Sequence, residues 1–347
     1  MPPAMQPRTQ QSRSVQLETI NLTDNLSTTR KLSSSGAWLK LRFRLSATTQ
    51  GGTPTGLNRY EGLAILDTVR LKVGGRPIFD LTPGEIFKQQ MYLSSTRPER
   101  IPASTTVGAW AYSFEVNFIL PKPFTYPRSG ITAFPSGILP NIELEVICPP
   151  SLLDALYTAK GTTTFSGQPQ LTVTAEIMDV SNTRLARLVA KNRLHGYQQL
   201  SQSDQPTATG TRDIQLVAGE GVMILLYASN ANGTNLAFTD GMATDVVVIC
   251  GANDFVTQSR FQELQNRGRE WFGAPDPVVY TGLNTTGTMC ITYTPNGALG
   301  EGIDLNGLQS LKLRQQLQTV SNNNGDTEVI QHILLQGYWR TIANIAL

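Results

Sequence analysis

Two stretches of this chain, roughly 170 residues apart, run through the same order of elements. In the first, an apolar run from Leu63 to Val73 reads as a strand, crosses Gly74-Gly75 and a short extended piece, and enters a helix at Thr82. In the second, Asp245 to Cys250 crosses Gly251 and enters a helix expected from about Asp254 to Trp271. Each helix is followed by a Gly/Pro/Thr-rich loop and a strand closed by proline, Phe114 to Pro121 and Met289 to Pro295. An alternating strand comes next (Ile142, Leu144, Val146; Leu311, Leu313), and a last one closes each series at Leu171 to Ile177 and Ile333 to Trp339. A strand-rich order used twice constrains the chain to two similar β-rich bodies.

At 347 residues the chain exceeds the size at which a single core usually stops growing, which agrees with two domains. Only 16% of residues are charged, well under the usual quarter, so part of the surface is expected to be given to partners. A net charge of +2 is too small for the whole chain to act as a nucleic-acid binder. Met1 to Ser14 carries Arg8 and Arg13 with no acid before Glu18, a weakly basic arm. Cys148, Cys250 and Cys290 are odd in number and lack CxxC spacing, so neither a disulfide framework nor a zinc site is indicated. No signal-like h-region and no run of 18 apolar residues occurs, so folding in a cytoplasm is expected. The Asn-x-Ser/Thr triplets at Asn21, Asn25, Asn232 and Asn284 then carry little weight.

Val15, Leu17 and Ile20 mark a strand whose alternation slips once, and Trp38 to Leu45 alternates with Lys40, Arg42 and Arg44 on one face. That cationic face reads as solvated sheet surface in preference to a phosphate site. Thr82 as N-cap, Pro83 at the first helical position and Glu85 three residues after the cap form a capping box. A further helix is expected over Asn182 to Leu194, where Arg184, Arg187, Lys191 and Arg193 make it a basic connector. Gln198 to Thr211 reads as a loop. The division that follows is an arm at 1–14, a first body at 15–180, a connector at 181–210 and a second body at 211–347. Asn-Gly and Asp-Gly turns punctuate the second half, which favours antiparallel sandwiches over βαβ units.

Chemistry is hard to find. His195 and His332 fall in the connector and the closing strand, so a His-based triad would need them to meet across domains. Glu143 and Glu145 share one face of a strand, the simplest pattern here for the paired carboxylates of glycoside hydrolysis, but any half-buried strand shows the same alternation. No P-loop, no GxGxxG and no metal-ligand cluster stands out, so no catalytic, cofactor or metal residues are assigned.

Val69-Arg70-Leu71-Lys72-Val73-Gly74-Gly75-Arg76-Pro77-Ile78 followed by a helix resembles the strand, glycine turn and helix of the double jelly-roll major capsid proteins of tailless icosahedral viruses. Ala133-Phe134-Pro135 leading to Ile142 through Val146 resembles that family's late strand in the first roll. Asp304-Leu305-Asn306-Gly307-Leu308 leading to Leu311-Lys312-Leu313 resembles its counterpart in the second, and Ile333 to Trp339 has the placement of its closing strand. The resemblance implies an all-β fold of two eight-stranded antiparallel jelly rolls in tandem, each with a flanking helix. It implies a structural, non-enzymatic capsid subunit of the virion, synthesised and assembled in the host cytoplasm. The implied partners are two further copies in a homotrimer, neighbouring capsomers, a penton protein, and an internal membrane or genome met by the N-terminal arm. The outer loops, near 47–58 and 228–242, are expected to be modest. The rival from another class is a two-domain jelly-roll carbohydrate-active enzyme or a glycan-binding protein, which would need convergent acids or exposed aromatics; Trp110 and Trp271 border loops.

Overall fold

A computed structural model describes residues 12–58, 60–86, 100–101, 104–118, 132–191, 193–204, 206, 208–217, 220–232, 235–238, 242–250, 253–272, 287–292, 303–304, 311–318, 326–335 and 338–343. The first roll is a sandwich of two antiparallel sheets. One sheet runs β1 (Ser12–Asn21), β12 (Gln170–Met178), β3 (Ala37–Gln50), β8 (Ala109–Asn117), with β7 (Arg100–Ile101) beyond β8 and β11 (Thr164–Phe165) on the end of β3. The other runs β2 (Ser27–Lys31), β9 (Ile142–Ile147), β5 (Thr68–Val73), β6 (Arg76–Leu81). A small pair, β4 (Thr55–Leu57) with β10 (Tyr157–Ala159), lies beside them.

The second roll repeats this order in its eight principal strands. Its first sheet is β13 (Gly196–Asp204), β22 (Asp326–Leu335) and β15 (Glu220–Asn232), with β19 (Thr288–Thr292), β16 (Asn235–Phe238) and β20 (Ile303–Asp304) on β15. Its second sheet is β14 (Gly210–Gln215), β21 (Leu311–Leu317), β17 (Ala243–Cys250), β18 (Asn253–Arg260). Thus β13 answers β1, β22 answers β12, β15 answers β3, β17 answers β5 and β18 answers β6. The two rolls touch where β6, at the edge of one sheet, lies against β13, at the edge of another.

Alternation places the core. On β3, Leu41, Phe43 and Leu45 are fully buried while Arg42 and Arg44 face out. Phe43 stacks on Phe114 at 4.7 Å and meets Phe79 of the opposite sheet edge-on at 6.5 Å, joining the two layers. The slip read in the first strand is a β-bulge between Gln16 and Glu18, which lets Val15 and Ile20 both turn inward. Gly74 and Gly75, at φ +54° and +80°, make the hairpin between β5 and β6, a geometry that favours glycine.

The capping box is present at the start of α1, helical over 83–86: the Thr82 N–H donates to Glu85 Oε2 at 2.6 Å, and the Glu85 N–H donates to Thr82 Oγ1 at 3.4 Å. Alongside it stand α2 (Leu152–Leu156), α3 (Asn182–Ala190), α4 (Phe261–Phe272) and α5 (Tyr338–Ile342). Helices α1 and α4 follow β6 and β18 respectively, so both rolls carry their helix at the same place.

Several expectations need correction. Residues 254–260 are strand, not helix, because β18 pairs with β17 from Cys250↔Asn253 to Asp245↔Arg260, the counterpart of the β5–β6 hairpin. Most of Gln198 to Thr211 is strand, not loop: β13 pairs with β22 from Gly196 to Asp204, and β14 begins at Gly210, so these polar residues belong largely to edge strands. Leu63 to Ile65 lies in a 3₁₀ turn spanning Glu61–Ile65, not in the strand that begins at Thr68. The closing strand ends at Leu335, and Trp339 sits in α5. The loop read at 47–58 is largely β3 and β4, and that at 228–242 is largely the β15–β16 hairpin. Pro121 and Pro295 lie outside the described residues.

Chain direction gives the molecule two ends. At the near end lie the start of β1, the end of β12, α3, the start of β13 and α5; at the far end lie α1, α4 and the extensions of β3 and β15. Helix α3 is capped by Ser181, whose Oγ accepts from the Arg184 N–H, and it buries Leu185 and Val189. Beside it, Trp339 is 1% exposed within the core cluster of the first roll, edge-on to Phe134 at 5.2 Å, and its Nε1 donates to the His195 carbonyl at 2.8 Å. The first roll is therefore closed by a side chain that follows the last strand of the second.

Candidate functional site

The residues singled out for chemistry are occupied structurally. Glu143 and Glu145 do share the outer face of β9. Glu145, however, takes Arg70 Nη1 at 2.7 Å and Lys72 Nζ at 2.9 Å, and Arg70 Nε also donates to Asp80 at 2.7 Å. The Lys72 hydrogen bond, with Arg70 close by, holds the Glu145 carboxyl below its ordinary range. A general acid needs the opposite shift.

The second roll carries an analogous ladder on the same sheet. Asp213 of β14 takes Lys312 Nζ at 2.6 Å and Arg314 Nε at 2.7 Å from β21. Chiefly through the Arg314 hydrogen bond, its carboxyl is lowered to about 2. The ordinary carboxyl value is about 3.9. A lowered folded-state value means the ladder stabilises fully above pH ~4 and is lost as pH falls towards ~2. Asp213→Asn is therefore expected to flatten the acid limb of a stability-versus-pH curve measured by denaturation; an unchanged limb would discount the ladder.

The cationic stripe of β3 is neutralised too. Lys40 and Arg42 reach Glu115 at 3.4 and 2.8 Å, with the Glu115 side chain only 4% exposed, and Lys40 also reaches Glu176 at 3.4 Å. These are cross-strand pairs of a sheet face, not a phosphate cradle.

Burial pushes the Cys148 thiol up to about 12, aided by Asp67 and Asp24, and pushes the Cys290 thiol up as well, so neither is poised as a nucleophile. His332 faces Gln199 in the β13–β22 register, four positions along from the residue that would face His195. At about 3.4 Å per residue the two backbones are separated by roughly 13 Å, too far for a shared proton. Trp110 is a buried β8 residue, not a loop aromatic, and Trp271 lies within α4. Among the described residues no group of three His, Cys, Asp or Glu converges to hold a metal, and no helix is long and apolar enough to cross a membrane.

What the geometry builds instead are surfaces. The exposed face of α3 presents Arg184, Arg187 and Lys191, followed by Arg193, at the near end. The sheet edges are the other such surface: within the chain β6 covers β13, whereas β1 and β18 end their sheets among the described residues. These edges are not legible in the sequence, where β13 reads as loop and β18 as the start of a helix.

No protein-family model and no curated protein matches the chain. Solved structures do. The major capsid protein of Sulfolobus turreted icosahedral virus matches with a TM-score of 0.70 at 13% identity, covering 96% of this chain and 99% of that one. The major capsid protein of bacteriophage PM2 matches with a TM-score of 0.57 at 12% identity, covering 94% and 98%. The capsid structure of the virus PBCV-1 matches with a TM-score of 0.60 at 12% identity, covering 93% of each chain. At such identities the likeness is one of fold: the chain has the double jelly-roll architecture of these capsid proteins along nearly its whole length.

Proposed function

We propose that the protein is a structural subunit of an icosahedral viral shell, a major capsid protein whose three copies form a capsomer of six-sided outline. The observation that carries this reading is the repeat itself. Two rolls with the same eight principal strands in the same order lie edge against edge in one chain. Three such chains around an axis present six similar lobes, so a threefold assembly can fill a sixfold place.

The same reading makes the virion the place of the protein and the host cytoplasm its place of assembly. Its partners are copies of itself, neighbouring capsomers and a penton protein. The arm at 1–14, whose residues 12–14 open β1 and whose residues 1–11 lie outside the described residues, and the basic face of α3 are assigned to the inner side, towards genome or membrane. The start of β13 supports a division into a first roll ending near 180, a short connector carrying α3, and a second roll from Gly196. The carbohydrate-enzyme alternative gains nothing from Glu143 and Glu145, since Glu145 is tied to two cations.

Light scattering on the purified protein tests the proposal. A particle of three times the chain mass, or a larger shell fragment, is expected. A monomer that persists at high concentration would overturn the reading.

A further inference from the structure

One hollow breaks the sheet surface of the second roll. It lies at the far end, where β17 begins, β21 ends and β18 passes into α4, and its volume is about 530 Å³. Small-molecule sites fall in the range of roughly 300–1,000 Å³. The geometry points to a binding site for an uncharged oligosaccharide, seated against Asp245, Arg260 and Gln316. The binding is a property of the single chain. That the site opens on the outside of a particle rests on the capsid reading above, which puts the near end inward.

The hollow is built on one cross-strand row. In the ladders of this sheet Arg260 faces Asp245, Asp245 faces Gln316, and Gln316 faces Thr211. Arg260, Gln316 and Thr211 are exposed and Asp245 is half-buried. Asp245 and Arg260 carry opposite charges on neighbouring strands, yet no ion pair joins them, and neither side chain has a partner among the described residues. Elsewhere on the same sheet such charges are satisfied, since Asp213 takes both Lys312 and Arg314. The Gln316 carboxamide is held in place: the Thr211 hydroxyl donates to its Oε1 at 2.8 Å, which leaves the Nε2 donors for a ligand. The Thr244 hydroxyl donates to the Gln316 main-chain carbonyl at 3.4 Å. Gln262 and Gln318 complete the rim, both exposed.

The chemistry of the rim selects the ligand class. Carboxylate, guanidinium, carboxamide and hydroxyl stand together, so donors and acceptors are mixed. A simple anion would meet the like charge of Asp245, and a simple cation that of Arg260. An apolar ligand would find nothing to cover, because Ala243 and Phe261, the apolar side chains of the lining, are buried already. A zwitterionic amino acid would answer the two charges but not the carboxamides of Gln262, Gln316 and Gln318. A sugar answers all of them: each hydroxyl both donates and accepts, and neighbouring hydroxyls can bridge a carboxylate or a guanidinium. Asp245 is the one carboxylate of the lining, so the site recognises a glycan without the paired acids that hydrolysis uses. The lining also lacks an exposed ring for stacking, so a single site binds weakly, and many copies on one particle would supply avidity.

Saturation-transfer NMR on the purified full chain tests the site. The ligands titrated are maltotriose, mannotriose and triacetylchitotriose, with sialyllactose as the anionic comparator and triglycine as the zwitterionic one. At least one neutral trisaccharide is expected to bind, and more tightly than either comparator. Asp245→Ala and Arg260→Ala are each expected to weaken that binding about tenfold or more, the effect of losing a charge-assisted hydrogen bond. The melting temperature should not move, since neither side chain has a partner within the fold. Gln262→Ala, in the exposed first turn of α4, takes their place should either variant fail to fold. The inference is overturned by a protein that binds none of the neutral sugars, by binding that the variants leave unchanged, or by tighter binding of a comparator. A trimer that ignores the sugars loses the site alone. A monomer that binds them keeps the site and loses the capsomer, and with it the outward placement.

Discussion

Replacing Trp339 with alanine is expected to lower the unfolding free energy by about 3–5 kcal/mol, the usual cost of removing a buried Trp or Phe ring. The ring is 1% exposed and fills the near end of the first roll against Phe134, which itself stacks on Trp38 at 5.1 Å and on Phe118 at 4.7 Å. Its removal leaves a hole that α5, a single short helix, is poorly placed to fill. The variant also loses the hydrogen bond to the His195 carbonyl, which adds about 1 kcal/mol. Trp339→Phe separates the two contributions by keeping most of the ring and losing the N–H donor, so its cost should fall nearer 1–2 kcal/mol. Denaturant titration provides the measurement. A Trp339→Ala loss under 1 kcal/mol would mean that α5 is not holding the rolls together.

Substituting alanine at Gly36 is expected to cost about 2–5 kcal/mol, combining a left-handed backbone with an overpacked site. Gly36 has φ +59°, and an added Cβ would lie 2.5 Å from the Met178 carbonyl oxygen and 3.0 Å from Ile177 Cγ2. Both of those are parts of a paired strand end with little freedom to retreat. The same turn accepts the Gly137 N–H at the Gly36 carbonyl, 2.9 Å, so it is also tied to the segment beneath α3. Gly74 is the control: its φ is +54°, yet nothing lies within 4 Å of an added Cβ. Alanine there should cost only the backbone penalty, about 1–2 kcal/mol. Equal losses at the two positions would show that crowding at Gly36 is relieved by movement.

The parts of the fold legible in the sequence were those where local chemistry and tertiary environment agree. Thr82, Pro83 and Glu85 announced a helix start because a capping box is satisfied within four residues. Leu41, Phe43 and Leu45 announced a buried face because each sheet of the sandwich has one wet side. Even the slip near Leu17 was visible, though its meaning as a bulge needs the partner strand. What escaped was decided at a distance. Nothing in Gln198 to Asp204 looks like a strand until β22 supplies its ladder and β6 covers it. Asp254 to Arg260 passes for a helix start because it flows into α4, and only the pairing with β17 separates them. Trp339 follows the apolar run of β22 after only Gln336, Gly337 and Tyr338, and nothing in those residues says that it leaves the second roll for the first. For the candidate site the limit was similar: Glu145 looks available on a strand, and its two cations come from another strand.

That placement of Trp339 also orders events during synthesis. Domains generally fold as units, the N-terminal one first, while the rest of the chain is still being made. Here the first roll can pair its strands early but lacks a core side chain that is translated only after every strand of the second roll. A chain stalled or cleaved before α5 would keep the near end of its first roll unsealed, with Phe134 uncovered. Completion of the first lobe is thereby made to wait for completion of the second, and a half-made chain is marked as such by its open near end.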